Sequence, residues 1–234
     1  MKIIVPDYYK DFHCIAGACR HSCCIGWEID VDEDSQRRFS NLPDIAPHVE
    51  NGHIRLLEGE RCLFLNADGL CDMIINHGED ILCGICRDHP RFRNFWADRV
   101  EMGLGLVCEE ACRLILTRSE PMKLSVLEDD GEDEECPDDE AWLTNLRTRL
   151  LLDLPDDPMT ARLFEYLVYR HLSDALYDGR VDARIAFIDA CMEEITETWA
   201  RFDTLDEKLE FVREWSYDVE YDEDELEKRI TRFE

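Results

Sequence analysis

The residues of this sequence best suited to chemistry are its 12 cysteines, ten of which fall between Cys14 and Cys112. Disulfide frameworks are rare in reducing compartments, where clustered thiolates usually hold zinc or iron–sulfur clusters. The first six residues are far too short an apolar stretch for an export signal, so we expect a cytoplasmic protein. The candidate metal ligands are Cys14, Cys19, Cys23, Cys24, Cys62, Cys71, Cys83, Cys86, Cys108 and Cys112.

The spacing within this set favours metal ligation over a scatter of buried thiols. Cys83 and Cys86 form a two-residue chelating pair, in which Gly84 lets backbone amides approach the sulfurs. Cys19 and Cys23 would share one face if their segment is helical, as would Cys108 and Cys112.

Several features of the cysteine set stay open from the sequence. Cys14 would join the first group from the preceding loop. Adjacent residues point about 100° apart on a helix, so either Cys23 or Cys24 serves a second centre or packs in the core. Ten cysteines allow two four-ligand centres or one, holding either a four-iron four-sulfur cluster or zinc.

A group of cationic and aromatic residues lies close to the cysteine pairs in the sequence. His89, Arg91 and Arg93 come directly after the chelating pair, where an imidazole and two guanidiniums would hold a carboxylate or an anionic cofactor. The alternative is a structured turn with surface arginines. For an enzyme, we expect Trp27, His89, Arg91 and Arg93 to line a cofactor cleft beside the centre.

The elements predicted for the first half are short and mixed. Residues 28–32 alternate polar and apolar side chains and predict a strand, and residues 34–39 predict a helix capped by Asp34 or Ser35. Residues 61–65 and 70–74 predict a hairpin with Gly69 in its loop, which places Cys62 and Cys71 on one face. Two glycines in residues 102–106 predict a strand close to another backbone rather than a nucleotide loop.

The second half has a helical pattern and follows a run of acidic residues. Residues 128–140 are almost all acidic and predict a solvated linker. Beyond them, apolar residues recur at helical spacing in four segments and a short terminal one. The predicted fold class is α+β: a cysteine-rich region over residues 1–127, the linker over 128–140, and an α-helical, bundle-like region over 141–234.

Charge narrows the range of partners. The formal net charge of −29 repels nucleic acid and anionic lipid, so we expect neither nucleic-acid nor membrane binding. No segment is long and apolar enough to predict a transmembrane helix. A basic partner would instead be attracted.

The cysteine pattern resembles that of the flagellin lysine N-methylase family, over about residues 5–116. It is also distantly similar to proteins with a zinc- or iron-chelating cysteine cluster. The motifs that carry the resemblance are Cys14-x4-Cys19-x3-Cys23-Cys24-x2-Trp27, Cys62-x-Phe64-Leu65, Gly69-Leu70-Cys71, Leu82-Cys83-x2-Cys86-x3-Pro90-Arg91 and Cys108-x3-Cys112.

The resemblance implies a methyltransferase that moves a methyl group from S-adenosylmethionine to lysines of flagellin, with an iron–sulfur centre bound by cysteines. The partner would be flagellin or another lysine-bearing protein, and no residue is assigned as the general base. The alternative function is a non-catalytic zinc- or iron-binding protein, used for metal handling or as an interaction module stapled by metal.

Overall fold

The computed structural model of the protein describes residues 1–129 and 138–234, in two compact units. Cys14–His89 form the cysteine unit, and Met1–His13 together with Pro90–Glu234 form the sheet–helix unit. The strands are β1 (Lys2–Pro6), β2 (Ile29–Asp30), β3 (Val49–Glu50), β4 (His53–Ile54), β5 (Leu56–Leu57), β6 (Arg61–Cys62), β7 (Arg91–Phe95), β8 (Arg99–Leu104) and β9 (Leu124–Asp129). The helices are α1 (Glu33–Phe39), α2 (Asp72–His77), α3 (Gly84–Asp88), α4 (Glu109–Leu116), α5 (Asp138–Leu150), α6 (Pro158–His171), α7 (Ala175–Asp178), α8 (Val181–Trp199), α9 (Leu205–Glu220) and α10 (Glu223–Thr231). The predicted α+β class is confirmed.

The cysteine unit is built on two very small sheets. Strand β4 lies between β2 and β3, and β5 pairs with β6. The predicted strand over residues 28–32 is present only as Ile29–Asp30, and the predicted helix begins one residue early, at Glu33. Its N-cap is Asp32, whose carboxylate accepts the Ser35 N–H, so neither Asp34 nor Ser35 caps it.

The prediction of a hairpin around Gly69 is correct for the loop and wrong for the second strand. Gly69 has a φ of +73° as expected, and the loop closes through an isolated bridge between Leu65 and Cys71. The second predicted strand is wrong, because the chain continues from Cys71 into helix α2. Asp72 in the first turn favours the helix, and Gly78, with a φ of +84°, ends it.

The sheet–helix unit contains a four-stranded sheet in the order β7-β8-β1-β9. Strand β1 runs parallel to β8 and antiparallel to β9, and β7 is antiparallel to β8. Gly103 lies opposite Phe92 in the β7–β8 register, and a Cβ at this position would collide with the Phe92 ring. Strand β8 ends at Leu104, so it contains residues 102–104 of the strand predicted over 102–106, and Gly103 stands close to an aromatic ring rather than to another backbone.

The helices predicted for the second half are present. Helix α6 packs against α4 and α8, and α9 packs against α4 and α10. Asp157 is the N-cap of helix α6 and accepts the Thr160 N–H at 2.8 Å, and α9 begins with a reciprocal capping box between Thr204 and Glu207. Within the described residues, no helix combines the length and apolarity needed to cross a bilayer.

The two units are bounded differently from the regions proposed from the sequence. The first 13 residues and the strands after residue 90 belong with the helices, because β1 pairs with β8 and β9. Of the proposed acidic linker, Glu128 and Asp129 end β9, and helix α5 begins at Asp138. Residues 130–137, which include Cys136, lie outside the described residues.

Candidate metal centre

Five thiols of the cysteine unit lie close enough to influence one another electrostatically. Cys24 acts on Cys62, Cys71 and Cys86, and Cys62 is close to both Cys71 and Cys86. Cys83 and Cys86 are joined by a thiol–thiol hydrogen bond. Four thiolates are enough for one zinc ion or one four-iron cluster, so the number of thiols suffices for one centre, although within the described residues no three of their sulfurs lie within 4.8 Å of one another.

The backbone brings Cys24 and Cys62 together. The Cys62 N–H donates to the Cys24 carbonyl at 2.8 Å, and the neighbouring Ile25 forms a bridge with Arg61. Cys62 is also the last residue of β6, where it pairs with Leu56 of β5. Cys24 lies in a turn and Cys62 in a short strand, and the two are hydrogen-bonded to each other, a contact between distant residues that sequence spacing does not reveal.

Cys71 reaches the group through a tightly organised loop. The Asn66 side-chain oxygen accepts the N–H groups of Asp68 and Leu70, both at 3.0 Å, and its amide donates to Asp72 at 2.8 Å. The Asp72 N–H donates to the Phe64 carbonyl at 2.8 Å. These bonds hold the start of α2 against the chain after β6, which places Cys71 near Cys62 as the sequence predicted.

Cys83 and Cys86 are held at the start of α3. Cys83 is the N-cap residue of this helix, and the next N–H, of Gly84, donates to the Asp32 carboxylate at 2.8 Å. Asp32 also accepts the Ser35 N–H and hydroxyl at 2.9 and 2.7 Å. The three hydrogen bonds, led by that of Gly84, hold the pKa of Asp32 well below its usual range. Asp32 thus joins the N-termini of α1 and α3 through one charged group.

The thiols differ in how readily they lose a proton. A hydrogen bond from Cys23 lowers the pKa of Cys24 to about 7, and one from Cys86 lowers that of Cys83 to about 7, in both cases against the effect of burial. Burial chiefly raises the pKa of Cys62 to about 11. The hydrogen bond to Cys83, together with burial, raises the pKa of Cys86. A bound cation would favour the thiolate at every position.

The first cysteine motif is not the helix that the sequence predicted. Residues 16–18 form a single 3₁₀ turn, and the chain then turns tightly, so Cys19 and Cys23 do not share a helix face. The Cys19 thiol donates to the His21 carbonyl at 3.1 Å, and the exposed Cys14 sulfur accepts the Ala16 N–H at 3.4 Å. Cys23 meets the five-thiol group through its hydrogen bond with Cys24.

Cys108 and Cys112 belong to the sheet–helix unit. They stand one turn apart as predicted, with Cys108 as the N-cap of α4 and the Cys112 N–H bonded to its carbonyl at 2.8 Å. Cys112 is buried, its thiol faces the Leu209 carbonyl at 3.6 Å, and burial strongly raises its pKa. In this surrounding Cys112 packs as a small apolar side chain.

The four residues expected around a cofactor are divided between the units. Trp27 and His89 lie in the cysteine unit with ring centroids 5.8 Å apart, and the Trp27 indole N–H donates to the Cys23 carbonyl. Arg91 and Arg93 lie on β7 in the sheet–helix unit, where the Arg91 guanidinium stacks over two aromatic rings, of Tyr9 and Phe12.

The sequence did not predict two clusters of polar side chains. Glu28, Asp30 and His53 come together on the small sheet of the cysteine unit. In the sheet–helix unit, the buried Glu220 bonds the Tyr166 hydroxyl and the His171 ring, both at 2.8 Å. Both groups depend on pairing between distant segments, for which a single sequence carries no local signal.

The fold and the thiol group define a cysteine-rich α+β protein, and comparison with known proteins narrows this class. Two proteins named lysine-N-methylase, from Salmonella choleraesuis (strain SC-B67) and Salmonella typhimurium (strain LT2), are 30% and 29% identical over 135 residues. Each match covers 51% of this chain and 34% of the relative. A protein named flagellar biosynthetic protein FliU, from Salmonella muenchen, is 27% identical over 134 residues, which cover 51% of this chain and 79% of the relative.

The chain is distantly related to these proteins, two of them named lysine-N-methylase and one named flagellar biosynthetic protein FliU, which confirms the resemblance found in its cysteine pattern. It spans about one third of the length of the two lysine-N-methylases that it matches. No family model matches the chain, and no solved structure does.

Proposed function

We propose that the cysteine unit holds a thiolate-ligated metal centre and that the protein methylates lysines of flagellin, or of another lysine-bearing cytoplasmic protein, with S-adenosylmethionine. The observation that carries this proposal is a group of five thiols within electrostatic range of one another in a relative of lysine-N-methylases. The FliU name of a third relative supports a flagellar substrate.

The donor chemistry fits either candidate group. Cys24, Cys62, Cys71, Cys83 and Cys86 provide one thiol more than a four-iron cluster or a zinc ion requires. When bound, a four-iron cluster supplies a one-electron couple, and zinc supplies a structural staple or a Lewis acid. The iron–sulfur assignment follows the family resemblance, and the zinc assignment belongs to the non-catalytic alternative.

The proposed reaction needs little covalent chemistry from the protein. A lysine ε-amine that has given its proton to solvent attacks the methyl carbon of the sulfonium. The new nitrogen–carbon bond forms as the sulfur–methyl bond breaks, and S-adenosylhomocysteine leaves with the bonding pair. The net charge of −29 attracts a basic substrate, and Arg91 and Arg93 are candidates to hold the carboxylate of the methyl donor.

Metal analysis of anaerobically purified protein tests the centre. We expect about four irons and four sulfides per chain, with an absorption band at about 400 nm. Cys83→Ala should lose most of this metal, because it removes one member of the chelating pair. Cys191→Ala removes a buried thiol in the sheet–helix unit and should retain it. Equal metal content in the two variants would contradict the proposed centre.

Methyl transfer from labelled S-adenosylmethionine to purified flagellin tests the activity. The wild-type protein and Cys191→Ala should label flagellin, and Cys83→Ala should label it far less. One or two zinc ions per chain with no methyl transfer would reject the methylase proposal and favour the alternative, a non-catalytic metal-binding protein.

A further inference from the structure

A second cluster of possible ligands lies on the outer face of the β2-β4-β3 sheet in the cysteine unit. Asp30 of β2 and His53 of β4 are directly paired across the antiparallel strands, and Glu28 precedes Asp30 by two residues. Ile29 and Ile54, which alternate with them, are 1% and 2% exposed and belong to the core. Because successive side chains of a strand point to opposite faces, the three polar groups share the solvent side.

The three side chains offer donors that converge on one small space. The His53 Nδ1 atom lies 2.7 Å from an Asp30 carboxylate oxygen and 3.6 Å from one of Glu28. One nitrogen and two carboxylate oxygens lie within 4.8 Å of one another. An imidazole with two carboxylates is a donor set for a first-row divalent cation, and it differs from the soft thiolates that select iron–sulfur clusters.

An independent feature of His53 points to a ligand at this place. Its Nδ1 atom is covered from solvent and lies at ion-pair distance from the Asp30 carboxylate, yet it has no hydrogen-bond partner. Two atoms that both carry lone pairs repel at this distance unless a proton or a cation lies between them. A poorly aligned proton satisfies the pair less well than a cation that also engages Glu28.

We propose that Glu28, Asp30 and His53 bind one divalent cation of the manganese, iron or zinc series. The ion would link β2 to β4 through ligands on both strands. The Glu28 and Asp30 side chains are each 69% exposed, so further coordination positions would be open to water. The site does not depend on the proposed methylase function, because none of its ligands is a thiol.

The same unit provides a matched control. His77 contacts Asp44 at 2.7 Å, so it has one carboxylate neighbour at the same distance as in the proposed site. Within the described residues, the Glu28, Asp30 and His53 group alone brings three such donors together. A general affinity of histidine–aspartate pairs for metal would therefore affect both sites, whereas a three-ligand site would affect only one.

The test is a Mn²⁺ titration of the full chain followed by electron paramagnetic resonance, in which the free ion gives a signal that binding removes. Mn²⁺ prefers oxygen and nitrogen donors, and excess Mg²⁺ would occupy diffuse acidic sites. Wild-type protein and His77→Ala should each bind one equivalent. His53→Ala and Glu28→Gln should each bind it about tenfold or more weakly.

Folding of the variants is checked by circular dichroism, and the exposure of Glu28 makes Glu28→Gln a safe second variant. Unchanged Mn²⁺ affinity in either Glu28→Gln or His53→Ala would overturn the proposal. An equal loss in His77→Ala would overturn it as well, because the binding would then belong to histidine–aspartate pairs in general.

Discussion

Asp32 is not one of the thiol ligands, yet removal of its carboxylate should make the bound metal easier to release. Asp32→Ala deletes the acceptor for the Ser35 N–H and hydroxyl and for the Gly84 N–H, at 2.9, 2.7 and 2.8 Å. Loss of an N-cap costs about 1 kcal/mol. A hydrogen bond to a charged group contributes about 1.5 kcal/mol at the lower end of its range, which suits an exposed carboxylate.

Together these effects amount to about 2.5 kcal/mol, or about a seventyfold change in the equilibrium that holds α3 and the Cys83–Cys86 pair in place. We therefore expect Asp32→Ala to release metal to a chelator about seventyfold faster than wild type. Asp32→Asn should be intermediate, because asparagine caps a helix as well as aspartate but lacks the charge.

The assay is the loss of metal from loaded protein to excess chelator, followed by absorbance or by metal analysis. Asp34→Ala is the control, because Asp34 lies on the same helix, is 81% exposed and contacts Arg37. Asp34→Ala should release metal at the wild-type rate. If Asp32→Ala and Asp34→Ala released metal at the same rate, the anchoring argument would be refuted.

Three further predictions concern stability. Glu220→Ala should lower the free energy of unfolding, measured in urea, by about 3–5 kcal/mol, because it leaves Arg170 buried without its partner at 3.1 Å. Glu214 is exposed on the same helix, and Glu214→Ala should change this free energy by less than about 0.5 kcal/mol. Burial alone would raise the pKa of Glu220, but Arg170 and the neighbouring histidine hold this pKa below its ordinary value. The contribution of Glu220 to the free energy of unfolding should therefore be complete above about pH 4.3 and be lost as the pH falls through the folded pKa. Urea titrations at several pH values would measure this loss. Gly17→Ala should disturb the first cysteine motif, because its Cβ would lie 2.7 Å from the Asp68 carbonyl oxygen, and faster reaction of the cysteine-unit thiols with a thiol reagent would report it.

Local features of the candidate centre were predictable from the sequence. The two-residue spacing of Cys83 and Cys86 and the turn at Gly69 depend on residues close in the chain, and both are present as expected. The amphipathic helices were predictable for the same reason, since one face of each must be apolar to pack.

The parts that were missed depend on long-range pairing. Asp30 and His53 meet on strands of two residues, and Cys24, in a turn, is hydrogen-bonded to Cys62 of the two-residue strand β6. These segments are too short for a periodic signal. The sequence predicted a strand where helix α2 lies, because residues 70–74 are apolar enough for either element. The residue that ends the helix, Gly78, lies beyond this segment.

The place of β1 in the sheet has a consequence for the order in which the chain folds. This strand lies between β8 and β9, and the nearer of these begins at Arg99. The cysteine unit occupies the intervening sequence, so a ribosome releases all its thiols before β1 has either neighbour. Domains generally fold as units while synthesis proceeds, and contacts between distant residues form slowly. The nascent chain would thus complete its cysteine unit while its first strand still awaits partners.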